Sequence, residues 1–219
     1  MGRHRKPLGP NHKTASHQTF SPGAYPRTMV QLPTVLVWLT GLTGLAWVAL
    51  ELRQSRHSRP EARHGDRGSR VVIGVAAVIG ILLAIAARRV LPGFAIGNPV
   101  VAAWCGLGLL LAARALRQWS FWTLGRYFTF TVQTSADQTV IATGPYRFVR
   151  HPAYSALLLA AAAGGLYVGN WLSLVALVGA VTAGLVYRIT VEERALSQDV
   201  GAAYRDYAAT HKRLVPFVW

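Results

Sequence analysis

The chain has 219 residues, 52% of them hydrophobic, and a formal net charge of +15. That length suits one domain, and the positive mean hydropathy of +0.30 argues against a soluble one. The single cysteine, Cys105, excludes a disulfide or a cysteine-built metal site within the chain; lying mid-helix, it is expected to be a packed, inert thiol.

Several uncharged runs of about 17 to 20 residues match a hydrocarbon core of about 30 Å. The period-two alternation of a membrane barrel is missing. The fold class is therefore all-α: a polytopic membrane protein with about five transmembrane helices and a C-terminal amphipathic helix on the cytoplasmic side. A strongly basic balance often signals nucleic acid. Here the arginines lie between apolar runs, so they read as charges that orient the helices and touch anionic lipid, and nucleic acid is not an expected partner.

Taken in order, residues 1–31 carry Pro, His, Ser and basic side chains without an apolar run, which predicts a disordered basic tail and no signal peptide. A region of three spans, residues 32–123, follows. Its spans cover residues 33–52, 71–87 and 98–116, and residues 53–70 form a loop with six arginines. Residues 118–130 hold Trp119, Phe121, Trp122, Tyr127, Phe128 and Phe130, a density that suits a segment at headgroup depth. Residues 129–143 read as extended chain or loop. Residues 124–219 are read as a third region. A fourth span over 152–168 meets a fifth over 172–190 through Gly169-Asn170, a turn tight enough for an antiparallel hairpin. Residues 191–213 are expected to form a separate amphipathic helix, with Leu196, Val200, Tyr204 and Tyr207 along one side.

Five spans put 16 of the 23 Lys and Arg residues on one side, so that side is read as cytoplasmic. A composition rich in Ala, Arg and Gly fits a bacterial inner membrane.

One stretch carries the chemistry: Gly144-Pro145-Tyr146-Arg147-Phe148-Val149-Arg150-His151-Pro152-Ala153-Tyr154. Polar groups at a membrane boundary are costly unless partnered, and so mark function. Pro152 suits the first turn of a helix. Arg188 and Glu192, four apart, share a helical face. The hairpin brings them to Arg150, His151 and Tyr154. The blander alternatives are snorkelling arginines, a weak surface ion pair and a histidine on a backbone carbonyl. The combination points instead to a pocket with a cationic or zwitterionic cofactor on its water side and an apolar acceptor on its lipid side.

Residues from about 124 onward resemble the isoprenylcysteine carboxyl methyltransferase family and the related membrane phospholipid methyltransferases. The resemblance rests on Leu124-Gly125-Arg126-Tyr127-Phe128, Thr143-Gly144-Pro145-Tyr146, Arg150-His151-Pro152-Ala153-Tyr154, Glu192-Glu193-Arg194-Ala195-Leu196, the Tyr204/Tyr207 pair and Arg213-Leu214-Val215-Pro216. It implies S-adenosyl-L-methionine as methyl donor, lined by Gln138, Thr139, Val140, Ile141, Tyr146, His151, Pro152, Ala153 and Tyr154, with Glu192 at its cationic part. It implies Arg188 and Arg150 facing the acceptor, Arg188 steering a carboxylate, and Arg188 and Glu192 as the catalytic pair. The implied acceptor is a lipophilic small molecule, foremost the carboxylate of a prenylcysteine-like acid. Other readings are a lipid amine or thiol methyltransferase, an NADPH-dependent membrane reductase and a non-catalytic membrane subunit. The reductases usually continue Arg-His-Pro-x-Tyr with Gly-Glu, where this chain has Ser155-Ala156. Neither Glu192 nor Glu193 is singled out by spacing as the cofactor's carboxylate.

Overall fold

The computed structural model describes residues 1–2, 32–55, 68–125, 140–216 and 219. The basic tail, most of the Arg-rich loop, and residues 126–139, with Gln138 and Thr139 among them, lie outside the described residues. The described elements are helical: α1 Thr34–Ser55, α2 Ser69–Val90, α3 Pro99–Leu124, α4 Pro152–Val168, α5 Trp171–Asp199 and α6 Ala202–Thr210, with short 3-10 turns at Pro92–Phe94 and Gly144–Arg147. Helices α1, α2, α3 and α5 are long and apolar enough to cross a membrane, and α4 is a shorter apolar helix of 17 residues.

The helix starts follow from local chemistry. Asn98 caps α3, its side chain accepting from the backbone N–H of Val100 and Val101, and Pro99 fills the first turn, where a missing N–H costs nothing. Pro152 does the same for α4. Gly169 closes α4 in the left-handed conformation at φ 71° and Asn170 caps α5, so the predicted two-residue hairpin turn is present.

Two spans run longer than their apolar cores. Helix α3 continues through residues 118–124, the first half of the expected headgroup-depth segment. The buried stripe of Ala113, Arg117, Ser120 and Phe121 keeps helical spacing, while Trp119 and Trp122 stay exposed. Helix α5 runs through Glu192 and Glu193 to Asp199, so the separate helix expected from residue 191 does not begin there. Gly201, at φ 70°, breaks the chain, and only nine residues form α6. Cys105 is exposed on its helix rather than packed.

Small residues set the packing, as apolar chains cannot drive helices together in lipid and close backbone approach must do so. A Cβ at Gly106 of α3 would lie 2.8 Å from the Ala163 carbonyl of α4, and one at Gly184 of α5 would lie 2.9 Å from the Ala76 Cβ of α2. Leu177, Val181, Leu185 and Ile189 of α5 form the centre of the main apolar cluster with Ala84 and Ala161. Helix α1 is peripheral: Leu36 packs with Ala103 and Leu107 of α3, and only 6% of its most apolar window is buried, against 39% for α5.

Helix ends alternate. At one end Asn170 Nδ2 donates to the Leu91 carbonyl at 3.0 Å, and Ile96 N–H donates to Gly169 O at 2.9 Å. The other end gathers the last turns of α1 and α3, the first turns of α2 and α4, and the late turns of α5.

Candidate active site

That second end holds nearly all the buried charge. Arg188, 3% exposed, donates from Nη1 to Ser69 Oγ of α2 at 2.8 Å and from Nε to the Tyr154 hydroxyl at 2.8 Å. Tyr154 donates in turn to Glu192 Oε2 at 2.6 Å. A three-member relay therefore runs Arg188–Tyr154–Glu192, tying α5 to α4. The carboxylate of Glu192 ends this relay.

Its neighbour Glu193 is the hub of a different cluster. His151 Nε2 and Arg150 Nη1 each lie 3.1 Å from its Oε1, and Arg213 donates to Oε2 from Nε and Nη2 at 2.9 Å. Both carboxylate oxygens are occupied by cationic or imidazole donors, the strong class of charge-assisted bond. The two acidic residues left undivided by spacing thus have opposite surroundings among the described residues: Glu193 is closed by three partners, Glu192 is held by one tyrosine.

The segment after α6 completes the wall. Val149 and Lys212 form a parallel bridge. Arg150 N–H donates to Lys212 O at 2.8 Å and His151 N–H to Arg213 O at 3.0 Å, while Ser155 Oγ donates to Leu214 O. The backbone before α4 is satisfied by this return strand, so the His151 side chain makes no helix-capping bond and turns to Glu193. Its ring stacks on Tyr154 at 5.5 Å.

Above this sits a tyrosine roof. Tyr146 is buried in the Gly144–Arg147 turn, and Tyr207 of α6 donates to its carbonyl at 2.6 Å. Burial raises the Tyr207 hydroxyl to about 12, with Arg150 pulling the other way. Burial also raises Tyr146 and Tyr204, the nearby carboxylates adding to the effect. These phenols are neutral donors at pH 7. The Tyr204 hydroxyl and Arg150 Nε are buried without partners. Buried polar atoms are paired in the great majority of cases, so these two orphans beside Glu192 and Glu193 suit a polar ligand.

Of the residues named from sequence, Tyr146, Arg150, His151, Pro152, Ala153, Tyr154, Arg188 and Glu192 come together at this end, and Val140 and Ile141 lie just before the Gly144 turn. Arg188 has protein partners in Ser69 and Tyr154. Sequence reasoning passed over Arg117, Glu51 and Ser69. Arg117, 8% exposed, pairs through two bonds with Glu51 of α1, one of them 3.0 Å long, and donates from Nη1 to the Ala153 carbonyl at 2.9 Å. The signal was there: an arginine and a glutamate each within or beside an apolar run.

Known proteins resemble the chain over this region. Residues 106–198 match the model of the isoprenylcysteine carboxyl methyltransferase (ICMT) family. The chain is 30% identical over 115 residues to protein-S-isoprenylcysteine O-methyltransferase B of Arabidopsis thaliana, covering 52% of this chain and 58% of the relative. It is 31% identical over 117 residues to a probable protein-S-isoprenylcysteine O-methyltransferase of Oryza sativa subsp. indica, covering 52% and 61%. The chain thus spans about three fifths of the length of these curated relatives. Among solved structures it is similar to the eukaryotic intramembrane Ras methyltransferase ICMT, with a TM-score of 0.54 and 25% identity over 66% of this chain and 52% of that one. Residues 106–198 thus resemble the isoprenylcysteine carboxyl methyltransferase family in sequence, in curated relatives and in fold.

Proposed function

We propose that this protein is an integral membrane methyltransferase that uses S-adenosyl-L-methionine to methylate the carboxylate of a lipophilic, prenylcysteine-like acid. The observation that carries the reading is the division of labour between Glu192 and Glu193. A cationic cofactor needs a carboxylate that is held in place yet not neutralised. Glu192 meets that need, because its bond comes from a neutral phenol. Glu193 is already compensated. The unpaired Tyr204 hydroxyl supplies a polar contact beside it, and Val140, Ile141, Tyr146, Pro152 and Ala153 supply wall. Gln138 and Thr139 belong to the same proposed lining.

The bound cofactor would supply a methyl group on a sulfonium, open to in-line displacement. A carboxylate acceptor is already ionised at pH 7, so no base has to remove a proton. The protein's own residues then orient and desolvate. Tyr154, fixed by Arg188, holds the Glu192 carboxylate in one rotamer; Glu193 keeps Arg150, His151 and the return strand closed over the water side. In this scheme Arg188 and Glu192 act as a pair, the arginine through the tyrosine. Arg150 remains a contact for the acceptor through its unpaired Nε. A site opening toward the cytoplasm of a bacterial inner membrane, with anionic lipid around its basic loops, is part of this proposal and rests on charge distribution and composition.

The test is calorimetric binding of S-adenosylhomocysteine to the full chain in detergent. We expect micromolar binding to the wild type, lost in Glu192→Gln and weakened in His151→Ala, with both variants folded. Folded wild type that binds no S-adenosylhomocysteine overturns the reading and leaves the reductase or the non-catalytic subunit.

A further inference from the structure

Four buried side-chain atoms among the described residues have no hydrogen-bond partner: Arg150 Nε, Tyr204 Oη, Arg114 Nη1 and Thr40 Oγ1. The first two lie beside Glu192 and Glu193 and belong to the site above. The other two are elsewhere, and helical spacing puts them on facing stripes. On α3, Arg114 lies seven residues after Leu107 and three before Arg117, so the three share one face. Leu107 packs with Leu36 of α1, and Arg117 pairs with Glu51 of α1. Arg114 therefore sits on the α1-facing stripe, between two known contacts. On α1, Thr40 lies four residues after Leu36 and eleven before Glu51, again on one face. Both orphans line the seam between α1 and α3.

Charge balance singles out Arg114. Arg117 is paired with Glu51, Arg150 and Arg213 with Glu193, and Arg188 reaches Glu192 through Tyr154. Among the described residues Arg114 has no such partner. It stands within the apolar length of α3, where an uncompensated cation is costly and marks a ligand path. It is also near the chemistry. Arg117, three residues on and so about 4.5 Å along the axis, holds the carbonyl of Ala153 in the proposed cofactor wall.

We infer that Arg114 binds the oxyanion of the acceptor in the seam between α1 and α3, and so sets the enzyme's preference for an acid over a neutral lipid. This rests on the methyl-transfer reading of the site and names the residue that recognises the substrate's charge. The guanidinium fork suits the two oxygens of a carboxylate, and the peripheral α1 leaves the seam beside lipid, the phase from which a prenylated molecule arrives. A phospholipid phosphate carries the same oxyanion chemistry, and the bilayer composition of the test separates the two.

The experiment measures equilibrium binding of an S-prenylated N-acetylcysteine, as free acid and as methyl ester, to the full chain in phosphatidylcholine nanodiscs at pH 7. Wild type should bind the acid about tenfold more tightly than the ester, the step an arginine–carboxylate pair supplies. Arg114→Met should abolish that preference while leaving ester affinity and S-adenosylhomocysteine affinity within about twofold; Arg114→Lys should retain part of it. Arg114→Gln, which keeps a donor without charge, serves if the methionine variant fails to fold. An acid preference that survives both neutral variants, or is missing from wild type, overturns the inference. So does an acid preference that vanishes in wild type when phosphatidylglycerol is added, which gives the seam to a lipid phosphate. Failure of the methyl-transfer reading has a different signature: no S-adenosylhomocysteine binding, with the acid preference and its loss in Arg114→Met unaltered.

Discussion

The two ends of the helical bundle are built from the same parts and do different things. Each joins helix termini through polar contacts between neighbours. At the Asn170 end those contacts are neutral: an amide on the Leu91 carbonyl, Ser173 Oγ on the Ala84 carbonyl at 2.6 Å, and a left-handed glycine. At the other end they are charged, running from Glu51 through Arg117 to Ala153 and from Ser69 through Arg188 and Tyr154 to Glu192. Closing a turn requires only the first kind. Charges kept at such depth, some with donors unpaired, mark a candidate site, and the difference between the ends is read from this chain alone.

The comparison breaks most severely at Arg117. Arg117→Met leaves Glu51 without its cation, and losing one member of a buried pair costs about 3 kcal/mol. Thermal unfolding in detergent should show a large loss, and the double variant Glu51→Gln with Arg117→Met should be more stable than Arg117→Met alone. Equal stability of the single and double variants would mean that Glu51 carries no unpaired-charge penalty once Arg117 is gone.

At the opposite end, Asn170→Ala removes a helix cap and the bond to Leu91, a loss of about 1 kcal/mol. Stability should fall, and S-adenosylhomocysteine affinity should stay as in wild type. A fall in affinity as large as that of Glu192→Gln would erase the distinction between the ends.

The smallest change is Tyr207→Phe, which deletes one hydrogen bond to Tyr146 O at about 1 kcal/mol. It also bears on pH. The Tyr207 pKa is raised on folding from its ordinary 10 to about 12, so its contribution is complete below pH 10 and is lost as pH climbs toward 12. Wild type should lose stability through that alkaline window, and Tyr207→Phe should lose less. Superimposable alkaline curves would remove Tyr207 from the account.

Much of this was legible in the sequence because the relevant signals are local. Apolar length gave the helices, Pro152 gave a helix start at its own position, and Gly169-Asn170 gave the hairpin that carries Glu192 to Tyr154. The helix ends at 124 and 199 were missed because hydropathy falls before helical hydrogen bonding does. Arg117 and Phe121 keep the buried spacing after the apolar run has ended, and Glu192 and Glu193 are helical though polar. The Glu51–Arg117 pair was illegible for another reason: its partners are 66 residues apart, and no periodicity links them. The exposure of Cys105 follows from which face of α3 meets α4, a matter of packing that composition does not encode.

The return strand has a consequence in time. Residues 149 to 155 are held by main-chain atoms of residues 212 to 214, about sixty positions later. Helices α1 to α5 precede these residues in the chain, so this wall cannot close until residue 214 has been made and has folded back. Until then Glu193 lacks Arg213, and the turn before α4 lacks its backbone partners. Closure of this wall is thus a late step of folding, and chains cut short before residue 212 would keep the helices and leave the wall open.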